Sequence, residues 1–167
     1  MMRWPFSRSA EDALIVEPLT SAHLRPVADI HAQTFARAWT DGEIENLVSP
    51  ASSWAMVARS VDTPARLAGF VIMRSAADEA EVLSIGVKPS WQGYGVGRML
   101  MDAVLAEAYG QRLTSVFLEV DETNRAASSL YTKLGFQAVA ERPDYYQLPD
   151  GRRGKAIIMR RDLVQPQ

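Results

Sequence analysis

The sequence contains no cysteine, which excludes disulfides, thiolate metal ligands and a cysteine nucleophile. Its two histidines, His23 and His31, lie eight positions apart, whereas two metal ligands on one helix face need a spacing of four. No apolar run approaches the ~18 residues that a membrane-spanning helix requires. A formal net charge of −2 argues against an extended nucleic-acid footprint. We therefore expect no metal site, no membrane insertion and no direct binding to nucleic acid.

The 167 residues are 47% apolar, which is enough for one ordinary domain with a real core. We predict a loose amino-terminal arm over residues 1–11 and a single domain over residues 12–164. The first residues contain no apolar h-region, so the cytoplasm is the expected compartment. Residues 142–161 carry six basic and two acidic side chains. A solvated hairpin face is the favoured interpretation of this segment, and a substrate-binding or RNA-proximal patch is the alternative. The oligomeric state stays open.

Alternating strand and helix patterns predict an α/β class. The predicted strands cover residues 14–16, 54–58, 67–73, 81–87, 115–120, 136–141 and 155–160, and the predicted helices cover 20–35, 40–48, 98–109 and 124–135. In the first helix, the apolar spacing predicts a buried stripe that includes Ala32 and Phe35.

The most informative segment is a glycine-rich loop, residues 92–97, with the sequence QGYGVG. It follows the strand that ends at Val87 and opens the helix that begins near Arg98. Glycines allow a ligand to approach the backbone, and a helix amino terminus attracts anions, so the loop predicts a phosphate or pyrophosphate site. The loop lacks the Gly-Lys-Ser/Thr of a Walker motif and the G-x-G-x-x-G of a dinucleotide fingerprint. Nicotinamide binding and a turn without a ligand remain as alternatives.

The pattern Gln-x-x-Gly-x-Gly after a strand resembles the acetyl-CoA loop of the GNAT N-acetyltransferases. The resemblance extends from about Phe35 to Met159 and is strongest to the RimI type, the ribosomal-protein alanine N-acetyltransferases. The segments that carry it, beyond the loop, are Trp39-Thr40, Asp78-Glu79-Ala80, Ile85 with Val87, Leu118-Glu119-Val120, Asn124, Leu130-Tyr131, Leu134-Gly135-Phe136, Arg142-x-x-Tyr145-Tyr146 and Ala156-Ile157-Ile158-Met159.

This resemblance implies a GNAT fold, an α/β architecture in which helices flank a mixed central sheet. Its two central strands splay apart to leave a slot for the pantetheine arm of acetyl-CoA. Acetyl-CoA is the implied co-substrate. The implied cofactor-binding residues are Ile85, Val87, Gln92, Gly93, Tyr94, Gly95, Val96, Gly97, Arg98, Asn124 and Tyr131. For Asn124, a plain helix cap is an equally good interpretation.

Two residues are predicted to carry the chemistry. Glu119 lies on the predicted strand 115–120 between apolar neighbours, and partial desolvation there would make its carboxylate a better base. Tyr131 shares a helix face with Leu134, so its ring points inward. The resemblance implies that Glu119 takes the proton of the amine and that Tyr131 acts as the acid toward the thiolate. The alternatives are a hydrogen-bonded acid at a strand end and a packed tyrosine.

Trp39, Tyr145 and Tyr146 are predicted at the rim of the acceptor site. A protein amino-terminal α-amine is the favoured acceptor. A small amine, a lysine side chain, or a non-catalytic acetyl-CoA-binding module are the alternatives. Three positions depart from the family pattern. Gly93 stands where many relatives place arginine or lysine, Ala38 where the RimI type has proline, and Lys155 where it has aspartate.

Overall fold

The computed structural model describes residues 13–148 and 150–164. The predicted arm, residues 1–11, lies outside the described residues. The strands are β1 (Leu14–Pro18), β2 (Ser53–Ser60), β3 (Leu67–Ala76), β4 (Glu79–Val87), β5 (Ser115–Asp121), β6 (Gln137–Gln147) and β7 (Arg153–Asp162). The helices are α1 (Leu24–Thr34), α2 (Asp41–Val48), α3 (Val96–Gly110) and α4 (Arg125–Lys133), with short 3-10 turns at Ser21–His23 and Pro89–Trp91.

The seven strands form one mixed sheet in the order β1-β2-β3-β4-β5-β7-β6. Within the described residues, the chain divides into two compact units, a first unit of residues 13–75 and 83–107 and a second unit of residues 76–82, 108–148 and 150–164. The parallel ladder of β4 with β5 comprises three pairs, from Glu79↔Ser115 to Glu81↔Phe117. The predicted mixed sheet flanked by helices is confirmed.

In the first unit, helices cover both faces of the strands. Phe70 in β3 lies 6.2 Å from the ring of His31 in α1, measured between ring centroids. A Cβ on the preceding residue, Gly69, would lie 3.1–3.2 Å from Leu100 and Val96 of α3. Because consecutive strand residues face opposite sides, α1 and α3 pack on opposite faces of β3. The core cluster on the α1 face consists of Val27, Ile30, Ile44, Val57, Leu67, Phe70 and Ile72.

In the second unit, β7 lies between β5 and β6 although it comes last in the chain. It pairs antiparallel with both neighbours, and Ala156, for example, lies opposite Asp121 of β5 and Arg142 of β6. β6 is exposed along most of its described length, as an edge strand is. The strand order of this unit is a tertiary result that the sequence patterns did not predict.

The buried stripe predicted for the first helix is partly wrong. Ala32 is exposed and Phe35 is 40% exposed. His31 is buried in their place at 2% exposure, and its ring stacks on Phe35 and on Trp39 with centroid distances of 4.3 Å. The hydrophobic pattern counted histidine as polar, whereas a neutral imidazole between two aromatic rings buries well.

Candidate active site

The glycine-rich loop of the first unit begins where β4 ends. The side chain of Gln92 folds back, and its Nε2 donates to the carbonyl oxygen of Val87 at 3.2 Å. Gly93 and Gly95 adopt φ values of +81° and +79°, which favour glycine because a Cβ is strained there. The α3 helix then starts at Val96, whose side chain is buried. The predicted order of strand, glycine loop and helix is confirmed.

This loop presents backbone rather than side chains. A Cβ on Gly93 or Gly95 would meet no described atom within 4 Å, so the loop is open at both positions. The amide of Met99 donates to the Gly95 carbonyl at 3.0 Å, and the N–H groups of residues 96–98 precede this bond at the helix terminus. Arg98, 46% exposed, pairs with Asp102 at 3.3 Å. The amides at the start of α3, the helix dipole and the guanidinium of Arg98 are together suited to a pyrophosphate.

The two flanks of the loop are anchored by packing. Trp91 is 2% exposed, Tyr94 meets it edge-on at 6.3 Å between ring centroids, and the guanidinium of Arg66 lies 5.6 Å from the Trp91 centroid. On β4, Ile85 and Val87 are half-buried while Gly86 between them is buried. A Cβ on Gly86 would lie 2.6 Å from a ring carbon of Phe70. The path of β4 into the loop therefore depends on this close approach.

In the second unit, Glu119 lies where the alternation of β5 predicted it. Val116, Leu118 and Val120 are buried, and Glu119 belongs to the half-buried face. The Glu119 side chain is 21% exposed, and its Oε1 lies 3.2 Å from Nη1 of Arg142. The predicted base is therefore a half-buried carboxylate that pairs with Arg142.

Tyr131 is buried on the inner face of α4, at 6% exposure, with its ring edge-on to Phe136. Burial raises the pKa of Tyr131 to about 12. The phenol therefore keeps its proton at neutral pH. Full transfer to a thiolate, whose reference pKa is about 8.5, would be uphill by about 5 kcal/mol. The environment thus favours hydrogen-bond donation to a developing thiolate over complete proton transfer. The Tyr131 phenol is therefore less acidic than its reference pKa of about 10 would suggest.

Asn124 is the amino-terminal cap of α4. Its Oδ1 accepts a hydrogen bond from the amide of Ala127 at 3.1 Å, which satisfies one of the unpaired donors of the helix. The capping interpretation is therefore confirmed. A contact of Asn124 with the arm of acetyl-CoA stays a prediction.

The predicted acceptor residues differ in their surroundings. In the first unit, Trp39 is half-buried, and its amide donates to Nδ1 of His31 at 3.1 Å. In the second unit, Tyr145 is 50% exposed, and the guanidinium of Arg142 lies 5.6 Å from its ring centroid. The backbone of Tyr146 pairs with Gly154 of β7. Tyr145 is thus an accessible aromatic surface, whereas Trp39 is largely a packing residue.

Arg142 belongs to the segment Arg142-x-x-Tyr145-Tyr146, but no pattern in the sequence indicates a role for its side chain. The structure brings Arg142 to both Glu119 and Tyr145. No local sequence pattern could predict this contact, because Arg142 and Glu119 lie on two strands, β6 and β5, that only the strand order brings to either side of β7.

Lys155, one of the departures from the family pattern, and the basic segment also have a structural account. Lys155 bridges Glu141 at 3.0 Å and Glu122 at 3.7 Å, and the hydrogen bond to Glu141 is the main cause that raises the pKa of Lys155. Other basic side chains of residues 142–161 also have partners: Arg152 pairs with Asp150, Arg153 with the Asp144 carbonyl and Arg160 with Asp162. These contacts favour the solvated hairpin face.

Within residues 13–148 and 150–164, no group of three His, Cys, Asp or Glu side chains is arranged to hold a metal ion. None of the helices described has the length and apolar character needed to cross a membrane.

Residues 20–136 match the acetyltransferase (GNAT) family, and the chain belongs to this family. The N-alpha-acetyltransferase RimI of Mycobacterium tuberculosis is 34% identical over 158 residues, which are 93% of this chain and 96% of that protein. The [ribosomal protein bS18]-alanine N-acetyltransferase of Escherichia coli K12 is 38% identical over 94 residues, 56% of this chain and 63% of that protein. The resemblance to the RimI type is confirmed.

The crystal structure of the ribosomal-protein-S18-alanine N-acetyltransferase from Escherichia coli has the same fold. It superposes with a TM-score of 0.84 at 27% identity and covers 92% of this chain and 96% of that chain. In sequence, the chain spans 62–64% of the length of the bS18-alanine N-acetyltransferases that it matches.

Proposed function

We propose that this protein transfers an acetyl group from acetyl-CoA to an amine, and that the amine is the α-amine of a protein amino terminus. The observation that carries the proposal is the open glycine loop at the start of α3 in a chain of the GNAT family. Its backbone amides, the α3 dipole and Arg98 would hold the pyrophosphate. Val87 and Ile85 would align the pantetheine through their main chains.

The chemistry that we propose has three requirements. The attacking amine must lose a proton, and Glu119 would take it. The oxyanion formed at the thioester carbonyl needs hydrogen-bond donors. The sulfur that leaves becomes a thiolate, and the buried hydroxyl of Tyr131 would donate a hydrogen bond to it. The Tyr131 role uses the hydroxyl in the protonated form, which its burial favours because burial raises its pKa.

An α-amine suits a single carboxylate base better than a lysine does. Its reference pKa of about 7.8 leaves roughly a tenth of it neutral at pH 7, whereas a lysine at about 10.4 is neutral to only ~0.04%. The difference is about 3.5 kcal/mol. Relatives that are named alanine N-acetyltransferases support an alanine-type amino terminus as the acceptor. We place the reaction in the cytoplasm, where acetyl-CoA and newly made proteins are both present.

The test is thiol release from acetyl-CoA with purified protein and a panel of acceptors, with mass spectrometry of each acceptor. The panel holds peptides with a free amino-terminal alanine, the same peptides blocked at the amino terminus but carrying a lysine, and small polyamines. We expect release with the free α-amine and acetylation at that nitrogen. Release only with the blocked peptides or polyamines would contradict the acceptor. Acetyl-CoA binding without release for any acceptor would indicate a binding module.

A further inference from the structure

The guanidinium of Arg142 contacts two groups that belong to the predicted chemistry of the second unit. Its Nη1 lies 3.2 Å from Oε1 of Glu119, the predicted base. Its central carbon lies 5.6 Å from the ring centroid of Tyr145, the exposed aromatic residue predicted for the acceptor. One cation is therefore held by a carboxylate and an aromatic ring together.

The strand order produces this contact. Residues that lie directly opposite each other in an antiparallel ladder project to the same face. Arg142 lies opposite Ala156, and Glu119 lies opposite Ile158 two positions further along β7. All four side chains therefore share one face of the sheet. Because Ala156 carries only a methyl group, the long side chain of Arg142 can cross β7 and reach Glu119.

An irregularity in β6 brings Tyr145 to the same guanidinium. The register shifts between Arg142 and Tyr146, so residues 143–145 lie in a bulge. Asp144 in this bulge has a φ of +56°, and its carbonyl accepts a hydrogen bond from Nη1 of Arg153 at 3.2 Å. The bulge re-aims the chain, and the Tyr145 ring comes to lie against Arg142.

A carboxylate beside an aromatic face is also a suitable site for an ammonium group, which gains an ion pair and a cation–π contact there. We propose that Arg142 occupies the position of the acceptor ammonium and that the incoming acceptor displaces it. This inference rests on the proposed function, with Glu119 as the base. Arg142 is then a positioning residue that keeps Glu119 paired until a cationic acceptor competes for it.

The exposure of the two partners fits such an exchange. The Arg142 side chain is 53% exposed, so it can swing into solvent, whereas Glu119 is 21% exposed and stays in place. Half-exposed ion pairs contribute little free energy, so displacement weakens acceptor binding only modestly. An acceptor without a positive charge gains nothing from replacing the guanidinium, which makes Arg142 a selector for cationic acceptors.

The experiment compares steady-state kinetics of the wild type with Arg142→Met, using one amino-terminal peptide near neutral pH. Removal of an internal competitor should lower KM for the peptide by about two- to fivefold and leave kcat within about twofold. Arg152→Met is the matched control, because Arg152 lies on the same hairpin, is 79% exposed and pairs with Asp150. The control makes the same change in charge, and we expect its KM to equal that of the wild type.

A higher or unchanged KM in Arg142→Met would overturn the displacement, and so would an equal fall of KM in the control. A large fall in kcat with constant KM would assign Arg142 to orienting Glu119 instead. Arg142→Lys keeps the charge but lacks the planar guanidinium, so its KM should lie between those of the wild type and Arg142→Met. If the wild type acetylates no peptide, the proposed function fails, whereas turnover without the expected KM change defeats only this inference.

Discussion

The glycine loop of the first unit and the Glu119 region of the second unit are built in different ways. The loop depends on backbone, with two glycines at positive φ and the amides at the start of α3. The Glu119 region depends on side chains that come from two strands, β5 and β6, and its contacts join Glu119, Arg142 and Tyr145. A backbone site should be damaged by an added atom, and a side-chain site by a deleted one. Three predictions test this contrast, and a fourth concerns a side-chain contact elsewhere in the first unit.

The largest effect should come from deleting one oxygen atom in the second unit. Tyr131→Phe keeps the ring and its contact with Phe136, but it removes the hydroxyl donor. We expect kcat to fall about 10²–10³-fold, in the range typical of a lost transition-state hydrogen bond, with acetyl-CoA affinity unchanged. Steady-state kinetics and calorimetry measure the two quantities. A loss of kcat below about threefold would reduce Tyr131 to a packing role.

Glu119→Gln should have the next largest effect, with a distinctive pH dependence. The variant keeps the size of the side chain and removes the base. Near pH 7, where most of an α-amine is protonated, kcat/KM should fall by about 10²-fold. Above about pH 8 the free amine is abundant without a base, so the gap to the wild type should narrow. A constant ratio of the two pH–rate profiles from about pH 6.5 to 9.5 would exclude Glu119 as the base.

The matching test of the first unit adds an atom. Gly95→Ala places a methyl group on the open face of the loop. It should weaken acetyl-CoA binding about tenfold or more, because the methyl group pushes the charged pyrophosphate away from the loop and lengthens its hydrogen bonds to the backbone amides. Gly151→Ala is the matched control. Its φ of +84° imposes the same backbone strain, and its Cβ also meets no described atom within 4 Å. Equal affinity losses in calorimetry would attribute the effect to strain, and no loss in Gly95→Ala would remove the loop from the cofactor site.

The smallest effect concerns a side-chain contact inside the first unit. Burial lowers the pKa of His31 from its ordinary value of 6.5, although Glu43 opposes the shift. The unfolded chain therefore binds a proton that the folded chain resists, and stability should be complete above pH 6.5 and decline as the pH falls below it. Urea unfolding at several pH values should show a shallower decline in His31→Gln than in the wild type. Identical slopes would show that His31 does not contribute.

Much of the local structure follows from the sequence, because it depends on residues close together in the chain. The helix predicted over residues 40–48 begins at a local cap, in which Oγ1 of Thr40 accepts from the amide of Glu43 and the Glu43 carboxylate accepts from the amide of Thr40. The alternation that put Glu119 on the half-buried face of β5 is equally local.

The positions of the glycines and the helix that follows them were also determined by the sequence itself, because left-handed backbone and a helix start are properties of a few adjacent residues. Only the tertiary structure decided the environment of Glu119. The insertion of β7 between β5 and β6 places Ala156 beside Arg142, and the bulge after Arg142 brings in Tyr145. Likewise, the burial of His31 depends on the rings of Phe35, Trp39 and Phe70 around it. Such contacts depend on which strands and helices become neighbours, and no local pattern of residues encodes that choice.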